Sequence, residues 1–563
     1  MRSTNSGKAP LRAFVSSWFV WWLLVQMIVL LAFLPWLPVA LRQLSTWPAG
    51  PQTFGASDAP VVVLRTLSEG LSAPRDDALW LALFAFFVLL GLLPPGRPSL
   101  IGLLYLLAPL LVMFALALFK DAFLKFLLVA SPPFVLLVAN GMMRLSAYAA
   151  QFTRPATRVV APALLLLLSV PSALAMQNYY FDPHFARDDY RGLAQWVAAL
   201  ARPGDAIMLD APGQQEIFNY YYHGSTPVYP LPRQRPPDAA ATQRELETIA
   251  AGHPRLFAVF WATDESDPAR VVESWLSTHT FKASDRWYGN VRLALYASTR
   301  TKDQHPLNAQ WEQGISLVSY ADAGQEPNAG DVMPITLNWR ADQPLSTRYK
   351  VFVHLLDPRG FVIAQRDSEP AGGARPTTTW QPGETILDDY GLLIPFGTPP
   401  LNYRLEFGLY DLETGQRLKT TTGADHVTSE VVRVLLAPQA PPLAAFEMQA
   451  VSGITASGLQ LLGYRLDKLG AEGQADATIH AGDALHLVLF WRKREPAPEE
   501  RYRLSVGTLV RETAPTDGLY PVERWAVGEV VRDDQIIALP AGWRAGQYPL
   551  TLNGQTLTDV DVR

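Results

Sequence analysis

The sequence predicts a multi-domain membrane protein: an α-helical transmembrane bundle of about five helices, then an α/β domain and two β-sandwich domains. Three observations carry this. Apolar segments joined by short basic loops fill the chain up to Met176 and end in VVAPALLLLLSVPSALAM, an uncharged run just long enough to cross a bilayer as a helix. The stretch to Arg300 alternates helix-like and strand-like pieces. Beyond Thr301 come short alternating strands, and their pattern occurs twice.

The membrane region is 1–176. Its first span, Phe14–Leu41, is too long for the apolar core of a signal peptide. Trp18, Trp21, Trp22 and Trp36 lie towards its ends, as aromatic rings do at the headgroup level. A polar loop, Arg42–Asp77, leads to spans at Ala78–Leu93, Leu100–Phe119, Leu127–Met143 and Val159–Met176. One set of connecting segments holds Arg2, Lys8, Arg12, Arg97, Arg144, Arg154 and Arg158 and no acid. The positive-inside rule places that set in the cytoplasm, so everything after Met176 is expected outside the plasma membrane.

Residues 177–300 read as a small α/β domain with a mostly parallel sheet. RDDYRGLAQWVAALA puts Tyr190, Leu193, Trp196, Val197 and Leu200 at helical spacing. The runs AIML, RLFAVFWA and VRLALYA read as strands, and PARVVESWLSTH as a helix opened by proline. Residues 301–438 and 444–563 read as two copies of one sandwich. ISLVSY matches LQLLGY, NAGDVMPITLNWR matches HAGDALHLVLFWR, WQPGETILDDYGLLIP matches WAVGEVVRDDQIIALP, and NYRLEFGLYD matches QYPLTLNG, all in the same order. The Pro-rich APQAPPL (Ala437–Leu443) divides them.

Composition narrows the function. The formal charge of −5 on 563 residues gives no support for nucleic-acid binding, which wants a basic patch. With no cysteine there are no disulfides, thiolate metal sites or cysteine nucleophiles. Dinucleotide-binding, P-loop, serine-elbow and zinc-protease motifs are missing, the nine histidines are scattered, and no cofactor is called for.

FLPWLPVALRQLSTWP and FKDAFLKFLLVASPPFVLLVANGM resemble late helices of the polytopic GT-C glycosyltransferases, in particular family 39, the dolichyl-phosphate-mannose protein mannosyltransferase and aminoarabinose transferase group. DYRGLAQWVAAL and PGDAIML resemble the region that follows the last helix in bacterial members. VFVHLLDPRG, PTTTWQPGE and FGLYDLETGQRL resemble modules appended to some of these proteins. The resemblance covers about Leu11–Arg300 and implies sugar transfer from a polyprenyl-phosphate donor on the outer face of the membrane. It also implies a carboxylate base in the first outer loop, within hydrogen-bond reach of the acceptor hydroxyl. Here that loop begins RQLSTWPAG and holds no acid before Asp58. The chain is therefore expected to be the C-terminal part of such an enzyme, inactive without a catalytic half. The alternative is a non-catalytic membrane-anchored scaffold whose sandwiches hold glycans or envelope proteins.

The resemblance makes Lys120 and Lys125 candidates for a lipid phosphate at the outer mouth of the third and fourth spans. The ordinary alternative is that both snorkel to the interface. Asp76 and Asp77 are weaker candidates as surrogate acids, since carboxylates at a span boundary are commonplace. Tyr220, Tyr221, Tyr222 and His223 read as the packed end of a helix or as a sugar-stacking cluster. Trp339, Trp380, Trp491 and Trp525 recur at equivalent repeat positions and read as core plugs in preference to a carbohydrate platform.

Overall fold

The computed structural model describes every residue except 1–8, 47–53, 56, 74–77, 95, 116–118, 120, 152–155, 183–184, 186, 211, 235, 454, 457, 472–476 and 496–500. The chain forms two compact units, one of residues 48–188 and one of residues 1–47 with 189–563. Among the described residues, four helical stretches are long and apolar enough to cross a membrane: Phe19–Val39, Arg97–Ala115, Phe123–Ala149 and Val159–Phe181. The chain is thus a membrane-helix region followed by β-rich domains.

In the 48–188 unit the helices are α3 (Ala59–Ser68), α4 (Ala78–Leu92), α5 (Arg97–Ala115), α6 (Ser131–Ala149) and α7 (Ala156–Phe181), after α1 (Ala9–Phe33) and α2 (Leu37–Thr46) of the other unit. This differs from the sequence expectation in three ways. The segment at Ala78 is only 15 residues long, so four stretches and not five have full crossing length. The polar loop Arg42–Asp77 contains α3, whose apolar VVVL is too short to announce itself as a span. Asp121–Phe126 of the expected KDAFLKF link belong to a 3-10 stretch, Asp121–Ala130, that runs straight into α6.

Helix α4 packs on α6 with their backbones almost touching. A Cβ on Gly91 would collide with the Leu137 carbonyl, and one on Gly141 with the Phe87 carbonyl. Asn140 Nδ2 donates to the Gly91 carbonyl at 2.7 Å. Phe84, Phe87, Phe134, Val138, Met142 and Leu168 form the core of this unit.

The 189–563 part begins with α8 (Tyr190–Leu200), capped by Asp189, which accepts from the Gly192 N–H at 2.8 Å. There follow β1 (Ala206–Asp210), α9 (Gln215–Tyr221), β2 (Val228–Pro230), α10 (Ala239–Gly252), β3 (Arg255–Phe260), the single turn α11 (Thr263–Ser266), α12 (Val271–His279), β4 (Phe281–Tyr288) and β5 (Val291–Ala297). The sheet order is β2-β1-β3-β5-β4. The expected mostly parallel sheet is mixed: β2, β1 and β3 run parallel, while β5 and β4 add antiparallel. The reason is local. Only two residues separate β4 from β5, which permits a hairpin but no crossover. Helix α8 covers one face of the sheet, and α10 and α12 cover the other.

Strands β6 (Asp303–Trp311), β7 (Ile315–Asp322), β8 (Val332–Ala341), β9 (Tyr349–Leu356), β10 (Val362–Ser368), β11 (Thr385–Leu393), β12 (Asn402–Asp411) and β13 (Val427–Arg433) form two sheets, β11-β8-β7-β6 and β10-β9-β12-β13. A second set repeats this: β14 (Gln449–Ala450), β15 (Thr455–Ala456), β16 (Leu459–Lys468), β17 (Ala484–Lys493), β18 (Tyr502–Val506), β19 (Leu509–Thr513), β20 (Val530–Ala538), β21 (Gly546–Leu552) and β22 (Gln555–Val562). Its sheets are β14-β16-β17-β20 and β19-β18-β21-β22. The four repeated sequence pairs fall on β7 and β16, β8 and β17, β11 and β20, and β12 and β21.

The segment after APQAPPL is not a spacer. Leu443–Phe446 forms a 3-10 turn, and Phe446 is buried with Trp196, Phe396 and Phe490 in a core that the α/β domain and both sandwiches share. An isolated Ala444–Arg563 fragment would expose Leu462, Val488 and Phe490, which lie in that core. We therefore expect 189–563 to melt in one cooperative step and Phe446→Ala to lower its stability by about 3–5 kcal/mol. Calorimetry of this unit checks both; separate domain transitions would contradict the shared core.

Candidate functional site

The 48–188 unit contains an apolar groove of about 480 Å³ between α3, α4, α5 and α6. Val63 and Leu67 line it from α3, Val88 from α4, Leu110 and Phe114 from α5, and Phe134 from α6. At one end Phe114 stacks on Phe119 with ring centroids 4.5 Å apart, and Phe119 meets Phe54 edge-on at 6.0 Å. Phe119 is fully buried and opens the segment that continues into the 3-10 stretch. Lys125 sits on that stretch, exposed, its ammonium 5.9 Å from the Phe126 ring. Helix α3 packs against both α4 and this stretch, so α3 is common to the groove and to the segment that bears Lys125.

Of the residues singled out in the sequence, Lys120, Asp76 and Asp77 lie outside the described residues. Tyr222 is buried and stacks on Phe218 at 5.2 Å, Tyr221 lies 5.6 Å from the Arg191 guanidinium, and Tyr220 is 71% exposed, so the three do not form one platform. Trp339, Trp380, Trp491 and Trp525 are at most 3% exposed and fill the two sandwich cores.

Two carboxylates went unremarked as sites in the sequence. Glu69, at the end of α3, is 2% exposed in the helical unit. The signal was a lone acid closing the amphipathic stretch VVVLRTLSE. Asp210 is fully buried at the C-terminal end of β1, and neither carboxylate oxygen has a hydrogen-bond partner among the described residues. Strand β1 leads through α9 to β2 on one side, and the chain returns through α10 to β3 on the other. Asp210 therefore stands where open α/β sheets place ligands. An acid directly after a buried run, AIMLD, was the available sign.

Burial pushes the Asp210 carboxyl well above the usual range, and the Asp267 and Glu273 carboxylates push it further. The folded protein thus holds this proton more tightly than the unfolded chain. As pH rises above about 4, the unfolded group ionises freely and the folded one does not, so its effect on stability becomes more unfavourable. Asp210→Asn is expected to raise the melting temperature of the 189–563 part near pH 8 and to leave it almost unchanged near pH 4. Melting curves across that range decide it; a variant less stable at pH 8 would contradict the argument.

No family model matches the chain, and no curated protein matches it. Among solved structures, a calcium-binding mutant of Bacteroides uniformis beta-glucuronidase 2 overlaps 25% of this chain and 15% of its own, with 16% identity and a TM-score of 0.15. The same enzyme covalently bound to cyclophellitol-6-carboxylate aziridine overlaps 26% and 16%, with 17% identity and a TM-score of 0.15. A DUF4785 family protein from Legionella pneumophila overlaps 49% of this chain and 59% of its own, with 12% identity and a TM-score of 0.14. The chain thus spans less than two thirds of each of these proteins, and likeness at this level assigns it neither fold nor activity.

Proposed function

We propose that this chain binds a polyprenyl-phosphate-linked sugar at the extracytoplasmic face of the plasma membrane, as the C-terminal part of a GT-C glycosyltransferase. The groove carries this reading, because it is apolar throughout and α3, which lines it, also packs on the 3-10 stretch that bears Lys125. Within a bilayer an apolar chain gains nothing from leaving lipid for protein, since the tails around it are equally apolar. Selection must come from shape and from the head group. A groove walled by Leu110, Phe114 and Phe134 supplies shape, and a lysine meets phosphate as a point charge.

Transfer needs a positioned carboxylate, which typically supplies about 10²–10⁴ in rate. Arg42–Ser57 offers none, so the reading gives lipid binding to this chain and transfer to residues outside it. The test uses the full chain in nanodiscs with radiolabelled polyprenyl phosphate. Leu110→Trp should fill the groove and lower retention about tenfold, a cost of about 1.4 kcal/mol, while Lys120→Ala/Lys125→Ala lowers it without altering the melt. Retention equal to wild type in both variants would end the proposal. Sugar turnover that disappears in Glu69→Gln, Asp76→Asn or Asp77→Asn would place the base within this chain instead.

The orientation has its own test. Reporter fusions after Arg154 should give a cytoplasmic signal and those after Arg300 an external one; a cytoplasmic signal from the second would invert the topology.

A further inference from the structure

The outer side of α9 is apolar where a surface helix is ordinarily polar. Phe218 and Tyr222, four residues apart, turn inward and stack within the α/β core. Ile217 and Tyr220, three residues apart on the opposite side, are 41% and 71% exposed. Tyr220 meets the Tyr221 ring edge-on at 4.9 Å, and the exposed Arg191 of α8 lies 5.6 Å from Tyr221 on the same surface. Exposed apolar residues are ordinary when scattered singly. This pair is set apart by what α9 is tied to. Arg42 of α2 forms an ion pair with Glu216, and its Nη1 donates to Gln215 Oε1 at 3.4 Å. Helix α2 also packs on the turn Pro212–Gln214 that leads into α9. Arg42 follows Val39, where the first stretch of crossing length ends, and both residues belong to α2. Three residues of helix rise only about 4.5 Å. One arginine side chain therefore ties α9 to the end of a membrane span.

We propose that α9 is a peripheral membrane anchor of the α/β domain: Ile217 and Tyr220 rest in the head-group layer of the leaflet that α2 reaches at Val39, and Arg191 meets lipid phosphate. The chemistry of the surface fits this occupant. A tyrosine has an apolar ring and a hydroxyl that stays wet, so it is enriched where bilayer meets water. A guanidinium pairs with phosphate oxygens through charge-assisted hydrogen bonds. Size argues against a protein partner, because a stable protein interface uses roughly 20–30 residues a side. Lipid needs no such area here. The covalent span through α1 and the Arg42 contact already hold the domain beside the bilayer, so even a weak anchor acts at high effective concentration. The proposal is independent of the lipid groove, since α2 and α9 belong to the other compact unit.

The sequence has no cysteine, so single-cysteine variants of the full chain can be labelled at one site. Ile217→Cys and Tyr220→Cys each receive a nitrobenzoxadiazole dye and are placed in nanodiscs of phosphatidylcholine and phosphatidylglycerol. Half of each sample contains a lipid spin-labelled at the head-group end of its acyl chain. Val510→Cys, on β19 of the second sandwich, is the control, because Val510 is 54% exposed and apolar too. Spin-labelled lipid should quench the dye at both α9 sites at least about twofold more than at Val510→Cys. Adding Ile217→Asp to Tyr220→Cys should bring that quenching down to the control value with an unchanged melting temperature, since a carboxylate is repelled by the anionic lipid. Quenching no greater than at Val510→Cys, or unaltered by Ile217→Asp, would overturn the proposal. So would blue-shifted emission without quenching, which would mean that protein and not lipid covers the face.

Discussion

In the helical unit everything turns on how closely α4 approaches α6. Water drives no association inside a bilayer, so helices there hold together through contact between surfaces. Gly91 and Gly141 remove the two Cβ atoms that would keep the backbones apart, and the Asn140 amide then reaches the Gly91 carbonyl. The tight pair fixes Phe87 and Leu137 against each other's helix. Helices α3 and α5 meet no comparable glycine contact with α4, and the space left between them is the groove. The cleft is the by-product of one close crossing beside looser ones.

The 189–563 part is held by the opposite force. Trp196, Phe257, Phe396, Phe446 and Phe490 come from three domains and are all buried in one cluster. Their removal from water contributes about 25 cal/mol for each Å² of apolar surface. Polar contacts then set the register of the domains instead of supplying the bulk of the stability. Arg255 pairs with Asp205 at 2.7 Å inside the α/β domain, and Arg359 pairs with Asp517 at 2.6 Å across the two sandwiches.

What the sequence disclosed follows from which signals are periodic. The 3–4 spacing of Tyr190, Leu193, Trp196, Val197 and Leu200 placed α8, and the repeated WRA/WRK and LDD/RDD pieces placed β8, β17, β11 and β20. Both are local patterns that tertiary structure only has to confirm. Helix α3, the 3-10 start of the α6 segment and the antiparallel β5 lacked such a signal, because each is short or set by its neighbours. Of the site candidates, Lys125 was legible as a base beside a span, but the groove was not. Residues from α3, α4, α5 and α6 line it, and no single segment carries its pattern. Asp210 was hidden for the same reason: its interest lies in a partner that is missing among the described residues, and a sequence does not show partners.

The two sandwiches show how one duplicated device diverges to build an interface. In the first, buried Asp388 accepts from the Ala371 N–H and the Tyr390 hydroxyl, each at 2.7 Å, and burial pushes its carboxyl up to about 7. In the second, Asp533 accepts from the Thr516 N–H at 2.8 Å and the Tyr502 hydroxyl at 2.6 Å, and is pushed up to about 6. Ala371 and Thr516 both have positive φ, so in each copy the carboxylate helps hold a strained turn that begins with Pro370 or Pro515. The neighbours of this device have changed. Leu387, next to Asp388, is 62% exposed, whereas Arg532, next to Asp533, is buried and donates to the Ile363 carbonyl of the first sandwich. Gly372 in the first turn corresponds to Asp517 in the second, which pairs with Arg359. The shared Asp, Pro and Trp positions maintain each core. Arg532 and Asp517, whose counterparts in the first copy are Leu387 and Gly372, make polar contacts from the second copy to the first and so set their register.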